Sequence, residues 1–245
     1  MFDHVTIRVA DRAAAESLYV AALTPLGIDL TFSTRTFAEW QDFSLAQADA
    51  DHPVTRNLHV GFVAPSREQV DEFWAAGRAA GAVDDGAPGP RPQYVEDYYG
   101  AFLRDADGNS IEAVHNATVR GGGGVVDHLW IRVADVPVAT AFYKAIAAAA
   151  GLQVRHETPA HATFERREGD GSFSLVAGDV PTENVHMAFA GGEDAVRRFY
   201  GDATAAGYRP NGAPGERPQY HPGYYAAYVL DPDGNNIEVV DHHRG

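Results

Sequence analysis

Apolar and polar side chains alternate at the start of the chain. Within residues 2–9, every second side chain is apolar and would share one face of an extended segment: Val5, Ile7 and Val9. A period of two predicts a half-buried strand. Asp11 follows at a position suited to a helix N-cap, ahead of a predicted helix over residues 13–23. The first two elements are therefore a strand and a helix.

A second unit of the same kind follows. Strands are predicted around residues 36–47, and the segment NLHVGF at residues 57–62 begins the next strand–helix pair. Ser66 and Gln69 form a capping-box pattern ahead of a helix that reaches about Ala80.

The end of this unit contains turn signals. The segment APGPRPQY contains so many Pro and Gly residues that we expect no regular structure there. Strands are predicted at about 101–104 and 110–114, joined by a turn at Asp107, Gly108 and Asn109. One half of the chain thus contains two strand–helix units, each completed by further strands.

The whole pattern then repeats. Residues 3–11 read DHVTIRVAD and residues 127–135 read DHLWIRVAD, with seven identities in nine. Residues 85–114 and 211–240 share 18 identities in 30. The period of roughly 125 residues is far longer than that of solenoid repeats, so each copy is a whole domain.

A glycine run separates the copies. Residues 116–125 read NATVRGGGGV, and four consecutive glycines favour neither helix nor strand, so we predict a linker there. We expect domain 1 to span residues 1–118 and domain 2 to span residues 125–245. Each domain is predicted to be α+β.

Composition excludes several classes of function. The formal charge of −15 argues against a nucleic-acid or anionic-membrane partner, because both require a basic surface. The chain has no cysteine, which excludes disulfides, thiolate metal sites and cysteine nucleophiles. No apolar run reaches membrane-spanning length and the N-terminus shows no signal core, so we expect a cytoplasmic protein.

Three residue types recur at matched strand positions in both copies. Each has the opposite parity from its strand's apolar residues and should point away from the helix-packed core: His4, His59, Glu112, His128, His186 and Glu238. Two imidazoles and one carboxylate suit Fe(II), Mn(II), Ni(II), Co(II) or Zn(II) and leave coordination positions open. A single strand histidine is more often a surface residue than a ligand. Persistence of all three types in both copies is what favours a divalent metal.

The opening DHxxIRVAD, the internal NLHVGF and the closing DPDGNNIEVV resemble the vicinal oxygen chelate superfamily. That superfamily includes glyoxalase I, bleomycin-resistance proteins, fosfomycin-resistance enzymes and extradiol dioxygenases. The resemblance covers nearly the whole chain twice. It implies tandem glyoxalase-like domains, each of two βαβββ modules forming a cup-shaped mixed sheet, with the metal held by the histidines and glutamates just named.

Two features of the metal sites stay open. In the superfamily a cup forms from two modules of one domain or from modules exchanged between domains, so His4 could share a metal with His59 and Glu112 or with His186 and Glu238. Glyoxalase I usually has a fourth ligand, a Glu in the last strand of the first module. The polar residues near that position do not match between the copies: Gln41 and Ser44 in the first, Glu165 and Glu168 in the second.

An asymmetry favours a dioxygenase-like site. Extradiol enzymes resemble the second copy in having a Tyr ten residues before the ligand Glu and a His shortly before that Tyr, here Tyr228 and His221. A phenol and an imidazole beside an open metal can orient a hydroxyl or move a proton, so we predict that both are catalytic. The first copy has Phe102 and Val95 at the same places. The alternative is a strand tyrosine and a loop histidine without a role.

A loop shared by both copies is predicted to bind substrate, because Arg offers a forked donor and Tyr a rigid wall with a polar tip. Its matched residues are Arg91, Gln93, Tyr94 and Tyr99 in the first copy and Arg217, Gln219, Tyr220 and Tyr225 in the second. The alternative is that these side chains only pack the loop onto the sheet.

The leading hypothesis is a divalent-metal-dependent enzyme that chelates a small oxygen-rich substrate through vicinal oxygens, either extradiol-dioxygenase-like or glyoxalase-like (lyase or isomerase). The alternative is a drug- or metabolite-sequestering protein of the bleomycin-resistance type, although such proteins usually lack the metal ligands. The fused pair could be a monomer or form a homodimer.

Overall fold

The computed structural model describes residues 1–116, 123–166 and 171–243, and within them four modules follow one another. Each module runs strand, helix and three strands. The first contains β1 (His4–Val9), α1 (Arg12–Leu23), a 3-10 turn (Thr24–Leu26), β2 (Phe32–Ser33), β3 (Phe37–Trp40) and β4 (Phe43–Gln47). The second contains β5 (His59–Val63), α2 (Arg67–Ala79), β6 (Val83–Pro90), β7 (Tyr99–Arg104) and β8 (Ser110–His115).

The second half repeats this order. The third module contains β9 (Val126–Val133), α3 (Val136–Ala150), β10 (Gln153–Thr158), β11 (His161–Glu165) and β12 (Ser172–Ala177). The fourth contains β13 (His186–Ala190), α4 (Glu193–Ala205), β14 (Pro210–Glu216), β15 (Tyr225–Leu230) and β16 (Asn236–Asp241). The α+β class and the βαβββ modules are confirmed. The predicted linker at 116–125 falls largely on residues 117–122, outside the described residues.

Helix starts follow the predicted capping chemistry. The Asp11 side chain accepts a hydrogen bond from the Ala14 N–H at the start of α1. The Ser66 hydroxyl accepts one from the Gln69 N–H at the start of α2. The Gln69 amide donates to the Pro25 carbonyl instead of returning to Ser66, so only one direction of the capping box forms.

The expectation of irregular structure in APGPRPQY was wrong for its first half. Strand β6 runs through Ala87 to Pro90, and β14 takes the matching course in the second copy. Both strands are the last in their sheets and their pairing shifts register. Prolines are tolerated there because an edge strand has one side without a ladder partner.

Each eight-stranded sheet combines modules from both halves. The first sheet has the order β14-β15-β16-β13-β1-β4-β3-β2, and the second has the order β10-β11-β12-β9-β5-β8-β7-β6. Strand β1 therefore pairs antiparallel with β13, with His4 opposite Ala188. Strand β5 pairs antiparallel with β9, with Gly61 opposite His128. Of the two assemblies left open by the sequence, the structure has the exchanged one.

The apolar faces of the sheets pack within each half. Helix α1 lies against α2, and α3 lies against α4. Phe43 of the first module meets Phe62 of the second edge-on, with ring centroids 5.0 Å apart. Phe173 and Phe189 make the corresponding contact at 6.2 Å. The helices thus pack in pairs within each half, while the buried apolar core and the sheets continue from one half into the other.

Reciprocal hydrogen bonds join the segments that precede β5 and β13. The Thr55 hydroxyl donates to the Asn184 carbonyl at 2.8 Å, and the Thr182 hydroxyl donates to the Asn57 carbonyl at 3.0 Å. Both asparagines have φ 59°, a left-handed conformation that Asn tolerates better than most residues. These crossed contacts fix the two connections where the halves meet. None of the helices in the described residues has the length and apolarity needed to cross a bilayer.

Candidate metal centres

The six predicted ligands meet in two groups, and each group draws on both halves. Site 1 consists of His4 on β1, His186 on β13 and Glu238 on β16. Site 2 consists of His59 on β5, Glu112 on β8 and His128 on β9. The sheet pairing causes this grouping, because β13 runs beside β1 and β9 runs beside β5.

The ligand atoms converge closely in site 1. Nε2 of His4 lies 3.0 Å from Nε2 of His186 and 3.5 Å from Oε2 of Glu238. Nε2 of His186 lies 2.9 Å from the same oxygen. Glu238 is 1% exposed, so its carboxylate is buried among these nitrogens.

Site 2 has nearly the same geometry. Nε2 of His59 lies 3.2 Å from Nε2 of His128 and 2.9 Å from Oε2 of Glu112. Nε2 of His128 lies 3.3 Å from that oxygen. Glu112 is also 1% exposed. The two sites therefore present the same three atoms in the same triangular arrangement.

These separations fit a shared cation. Metal–ligand bonds of about 2.1 Å place neighbouring ligand atoms about 3.0 Å apart at right angles and about 3.4 Å apart in a tetrahedron. The observed separations are 2.9 to 3.5 Å in site 1 and 2.9 to 3.3 Å in site 2. Three ligands on one face leave the remaining coordination positions open. The residues present therefore fit a divalent ion.

The first-strand histidines are oriented by the aspartate that precedes them. Nδ1 of His4 lies 2.8 Å from Oδ1 of Asp3, and Nδ1 of His128 lies 2.8 Å from Oδ2 of Asp127. A proton on Nδ1 that is donated to a carboxylate leaves the Nε2 lone pair free for a metal. This role of the aspartates was not predicted from the sequence, although the Asp-His pair occurs in both copies.

A tyrosine holds the second oxygen of each glutamate. The Tyr98 hydroxyl donates to Oε1 of Glu112 at 2.6 Å, and the Tyr224 hydroxyl donates to Oε1 of Glu238 at 2.7 Å. The predicted residues were their neighbours, Tyr99 and Tyr225. The structure does not bring those two to the site. Tyr99 donates to Asp71 on α2, and Tyr225 lies under the guanidinium of Arg197 on α4.

Electrostatics favour an ionised glutamate in each site. Burial alone raises the pKa of Glu112, but hydrogen bonds from His128 and His59 outweigh it and lower the pKa to about 2. Burial likewise raises the pKa of Glu238, but hydrogen bonds from His186 and His4 outweigh this effect and lower the pKa overall. Both carboxylates are therefore charged and ready to bind a cation at neutral pH.

The histidines of each site divide into two kinds. Burial lowers the pKa of His4, but hydrogen bonds to Asp3 and Glu238 raise it overall to about 9, and the pKa of His128 is raised to about 9 in the same way. Burial lowers the pKa of His59 and of His186. Without a cation, one imidazolium per site balances the buried glutamate charge, and metal binding displaces that proton.

Of the two predicted catalytic residues, Tyr228 lies beside site 1. It is paired with Glu238 across β15 and β16, and its ring centroid lies 6.2 Å from that of His186. Its hydroxyl is buried near Glu238 and makes no hydrogen bond of regular geometry to any residue that the structure describes. Burial and the charge of Glu238 raise its pKa, so the phenol stays protonated. Phe102 takes this place in site 2, with its ring 6.0 Å from His59.

His221 reaches site 1 only through other residues. Its Nε2 lies 2.9 Å from Nδ1 of His242, and Nε2 of His242 lies 3.0 Å from both oxygens of Asp3. Asp3 in turn contacts His4. His242 was not predicted, because it follows the last repeated segment and its counterpart in the first copy is Asn116.

The predicted substrate-binding loops contribute unevenly. The Arg91 guanidinium donates to the carbonyls of Pro90 and Ala87 and lies over the Phe102 ring. Arg217 likewise donates to Glu216 and Ala213 and lies over Tyr228. Each guanidinium thus bonds within its own loop and lies over a ring that neighbours a ligand histidine. These rings are Phe102 beside His59 and Tyr228 beside His186.

The remaining loop residues lie at the surface. Gln93 and Gln219 are exposed. Tyr94 is 48% exposed and contacts Trp130 edge-on at 6.1 Å, whereas Tyr220 is 62% exposed and packs on Tyr224 at 4.9 Å.

The structure groups only three ligands in each site within the described residues. In the last strand of the first module, Ser44 lies opposite Thr6, and its hydroxyl is 2.7 Å from that of Thr6. Ser174 takes the matching place in the third module. Gln41 is exposed in a turn, Glu165 accepts a hydrogen bond from Gln153, and Glu168 lies outside the described residues. Among the residues that the structure describes, the fourth carboxylate expected of a glyoxalase I is therefore absent from this position.

Comparison with known proteins identifies related families and folds. The family model described as Glyoxalase/Bleomycin resistance protein/Dioxygenase superfamily matches residues 1–113 and 125–239. No protein of curated function matches the chain.

Three solved structures illustrate what the chain is similar to, and the first of them shares its fold. Glyoxalase I from Zea mays is 16% identical with a TM-score of 0.69, and the match covers 98% of this chain and 92% of that one. A glyoxalase/bleomycin resistance protein from Albidiferax ferrireducens is 35% identical over 47% of this chain and 99% of its own, with a TM-score of 0.44. A variant of homoprotocatechuate 2,3-dioxygenase from B. fuscum is 17% identical over 98% of this chain and 70% of its own, with a TM-score of 0.42.

Proposed function

The chain belongs to the glyoxalase/bleomycin resistance protein/dioxygenase superfamily, and from that premise we propose that it is a divalent-metal-dependent enzyme acting on a small substrate with two neighbouring oxygens. The observation that carries the proposal is the convergence of two imidazole nitrogens and one buried carboxylate oxygen within 2.9 to 3.5 Å in site 1, repeated in site 2. Three ligands on one face suit a substrate that binds through two oxygens.

A divalent ion held by these residues would supply a Lewis acid for the two substrate oxygens. The protein's contribution is to hold the ligands in place. The strand pairings bring the ligand residues together. Asp3 and Asp127 orient the first-strand imidazoles. Tyr98 and Tyr224 restrain the glutamate carboxylates. Because these partners are buried or half-buried, the ligand atoms are preorganised.

Of the two reaction types, extradiol-like dioxygenation is favoured over the glyoxalase-like reaction. The serines in the last strands of the first and third modules cannot provide the carboxylate base that a glyoxalase places there. The Tyr228 hydroxyl, in contrast, is a protonated donor beside site 1 and near Glu238 that makes no hydrogen bond of regular geometry within the described residues. We assign it the role of hydrogen bonding to a substrate oxygen, which makes it the catalytic tyrosine of the proposal.

We assign His221 a positioning role, because its contact with the site passes through His242 and Asp3. The chain of contacts restrains Asp3 and thereby His4. The loop tyrosines Tyr94 and Tyr220 remain candidates for substrate contact at the rims of the two cups, since both are exposed.

Metal analysis of anaerobically purified protein, followed by oxygen uptake with a series of catechols, tests the proposal. We expect up to two divalent ions per chain and metal-dependent oxygen consumption. Bound metal without oxygen uptake, but with isomerisation of a hemithioacetal, would support the glyoxalase-like reaction instead. Tight ligand binding with neither metal nor turnover would support the sequestering function and contradict the proposal.

A further inference from the structure

Sites 1 and 2 differ at the residue two positions after the first-strand histidine. This residue is Thr6 in site 1 and Trp130 in site 2. Because side chains alternate along a strand, both lie on the same face as the histidine and so face the ligand group. The two cups therefore have different walls beside the same three ligands.

Trp130 forms the centre of an aromatic wall in site 2. It lies directly opposite the ligand His59 across β5 and β9, with ring centroids 6.2 Å apart. Its ring also lies 6.1 Å from Tyr94 and 6.1 Å from His161. Trp130 is nevertheless 36% exposed, so part of this large side chain stays open to solvent.

Site 1 has a small polar side chain where site 2 has the indole. Thr6 is only 9% exposed, and its hydroxyl lies 2.7 Å from that of Ser44, so the side chain lies flat against the sheet. Phe32 on β2 and Phe37 on β3 contact each other, with ring centroids 6.5 Å apart. The ring beside its second-strand histidine is a phenol, Tyr228, rather than the phenyl of Phe102.

An exposed indole within a cup is a platform for another flat ring. Aromatic pairs gain attraction beyond the burial of their area when they meet offset or edge-on. Phe102 and Trp130 both adjoin His59, and together they give site 2 apolar surface around the coordination positions. Site 1 offers polar groups at the same two places.

We propose that site 2 selects a flat aromatic chelating ligand, whose two oxygens face the ligand group of His59, Glu112 and His128 while its ring packs on Trp130. Site 1 lacks this platform and does not discriminate aromatic from aliphatic chelators. The inference rests on the proposed metal-dependent function and adds the substrate class of one of its two sites.

Binding of two chelators to the Zn(II)-loaded full-length protein tests the inference. 4-Nitrocatechol is flat and aromatic, and acetohydroxamic acid offers two neighbouring oxygens without a ring. Glu238→Gln removes the carboxylate of site 1 so that site 2 is measured alone, and metal content is determined for every sample. In this background we expect Trp130→Thr, which installs the site 1 residue, to weaken 4-nitrocatechol binding roughly three- to tenfold. Acetohydroxamic acid binding should change less than twofold.

Two further variants guard against a general disturbance of the fold. Trp130→Phe keeps an aromatic ring and should retain most of the affinity for 4-nitrocatechol. Trp74→Phe alters a tryptophan on α2 that bonds to Asp84 and should change neither affinity.

Equal loss of both chelators in Trp130→Thr, or no loss of either, would overturn the inference while leaving metal binding intact. Absence of bound zinc from the unmodified protein would overturn the proposed function, and the inference with it. Metal content therefore distinguishes the two failures.

Discussion

Sites 1 and 2 have the same types of ligand residue but differ in the residues beside them. Their metal-facing atoms, the aspartates behind the first-strand histidines and the tyrosines behind the glutamates correspond one to one. The residues beside those ligands do not correspond. Tyr228 and Thr6 of site 1 match Phe102 and Trp130 of site 2. The His221–His242 pair of site 1 matches Val95 and Asn116. The strands thus keep the ligand geometry constant, while single side chains on the same face set what each cup can bind.

The largest expected effect tests which half supplies each ligand. We expect the double variant His4→Ala, Glu238→Gln to retain one divalent ion per chain, because both changes fall in site 1. The double variant His4→Ala, Glu112→Gln should retain none, because it damages both sites, and removing one ligand of three should lower affinity by about 100-fold or more. Metal stoichiometry after desalting measures this.

The matched controls are the single variants, each of which should lose one ion. Retention of one ion by His4→Ala, Glu112→Gln would mean that these two residues share a site, contrary to the exchanged pairing.

Tryptophan fluorescence should report metal binding at site 2 and respond very little to metal at site 1. Trp130 lies beside His59 of site 2, whereas the other two tryptophans are on α2 and in the core, where Trp40 is fully buried. Paramagnetic Cu(II) at site 2 should therefore quench Trp130 emission. When Cu(II) is titrated at constant pH, we expect Trp130 emission to be quenched in Glu238→Gln, which keeps site 2 intact. We expect no such quenching in Glu112→Gln, which damages site 2. Equal quenching in both variants would contradict the assignment of Trp130 to site 2.

Removal of the tyrosine hydroxyl behind each glutamate should have a moderate effect. Tyr98→Phe leaves Oε1 of Glu112 without its donor, and Tyr224→Phe does the same for Glu238. Loss of such a partner typically weakens metal affinity about 10- to 100-fold, here in one site at a time. Competition with a chromophoric chelator measures the two affinities.

Tyr99→Phe and Tyr225→Phe are the matched controls, because these tyrosines face the helices. If these controls lost metal affinity while Tyr98→Phe and Tyr224→Phe did not, then Tyr99 and Tyr225 would be the residues that restrain the glutamates, contrary to the assignment.

The smallest expected effect concerns the feature unique to site 1. His242→Asn installs the residue found at the matching position of the first copy and removes the contact between His242 and Asp3. Asp3 keeps its bond to His4, so we expect only a few-fold loss of metal affinity in site 1, at the low end of such effects. Site 2 should not change, and a loss in site 2 would show that the two cups are coupled.

Much of the fold and of the ligand set could be predicted because both depend on local periodicity. Parity along β1, β5 and β16 places His4, His59 and Glu238 on the face away from the helices, and Asp11 marks the start of α1 by its own side chain. The ligand histidines could then be distinguished from the other histidines because they recur at matched positions in both copies. The same parity argument could have selected Tyr98 over Tyr99, since only one of two neighbours in an extended segment can face the glutamate.

What the sequence by itself determined is a duplicated α+β chain with two His-His-Glu sets on the concave faces of its sheets. Only the tertiary structure decided that His4 joins His186 rather than His59, that His242 lies behind Asp3, and that Trp130 lines site 2. The reason is that the two copies carry nearly the same strands, so β1 has equally suitable partners in β5 and β13. Local pattern cannot distinguish equivalent edges, whereas the crossed hydrogen bonds of Thr55 and Thr182 and the packing of each half select one pairing.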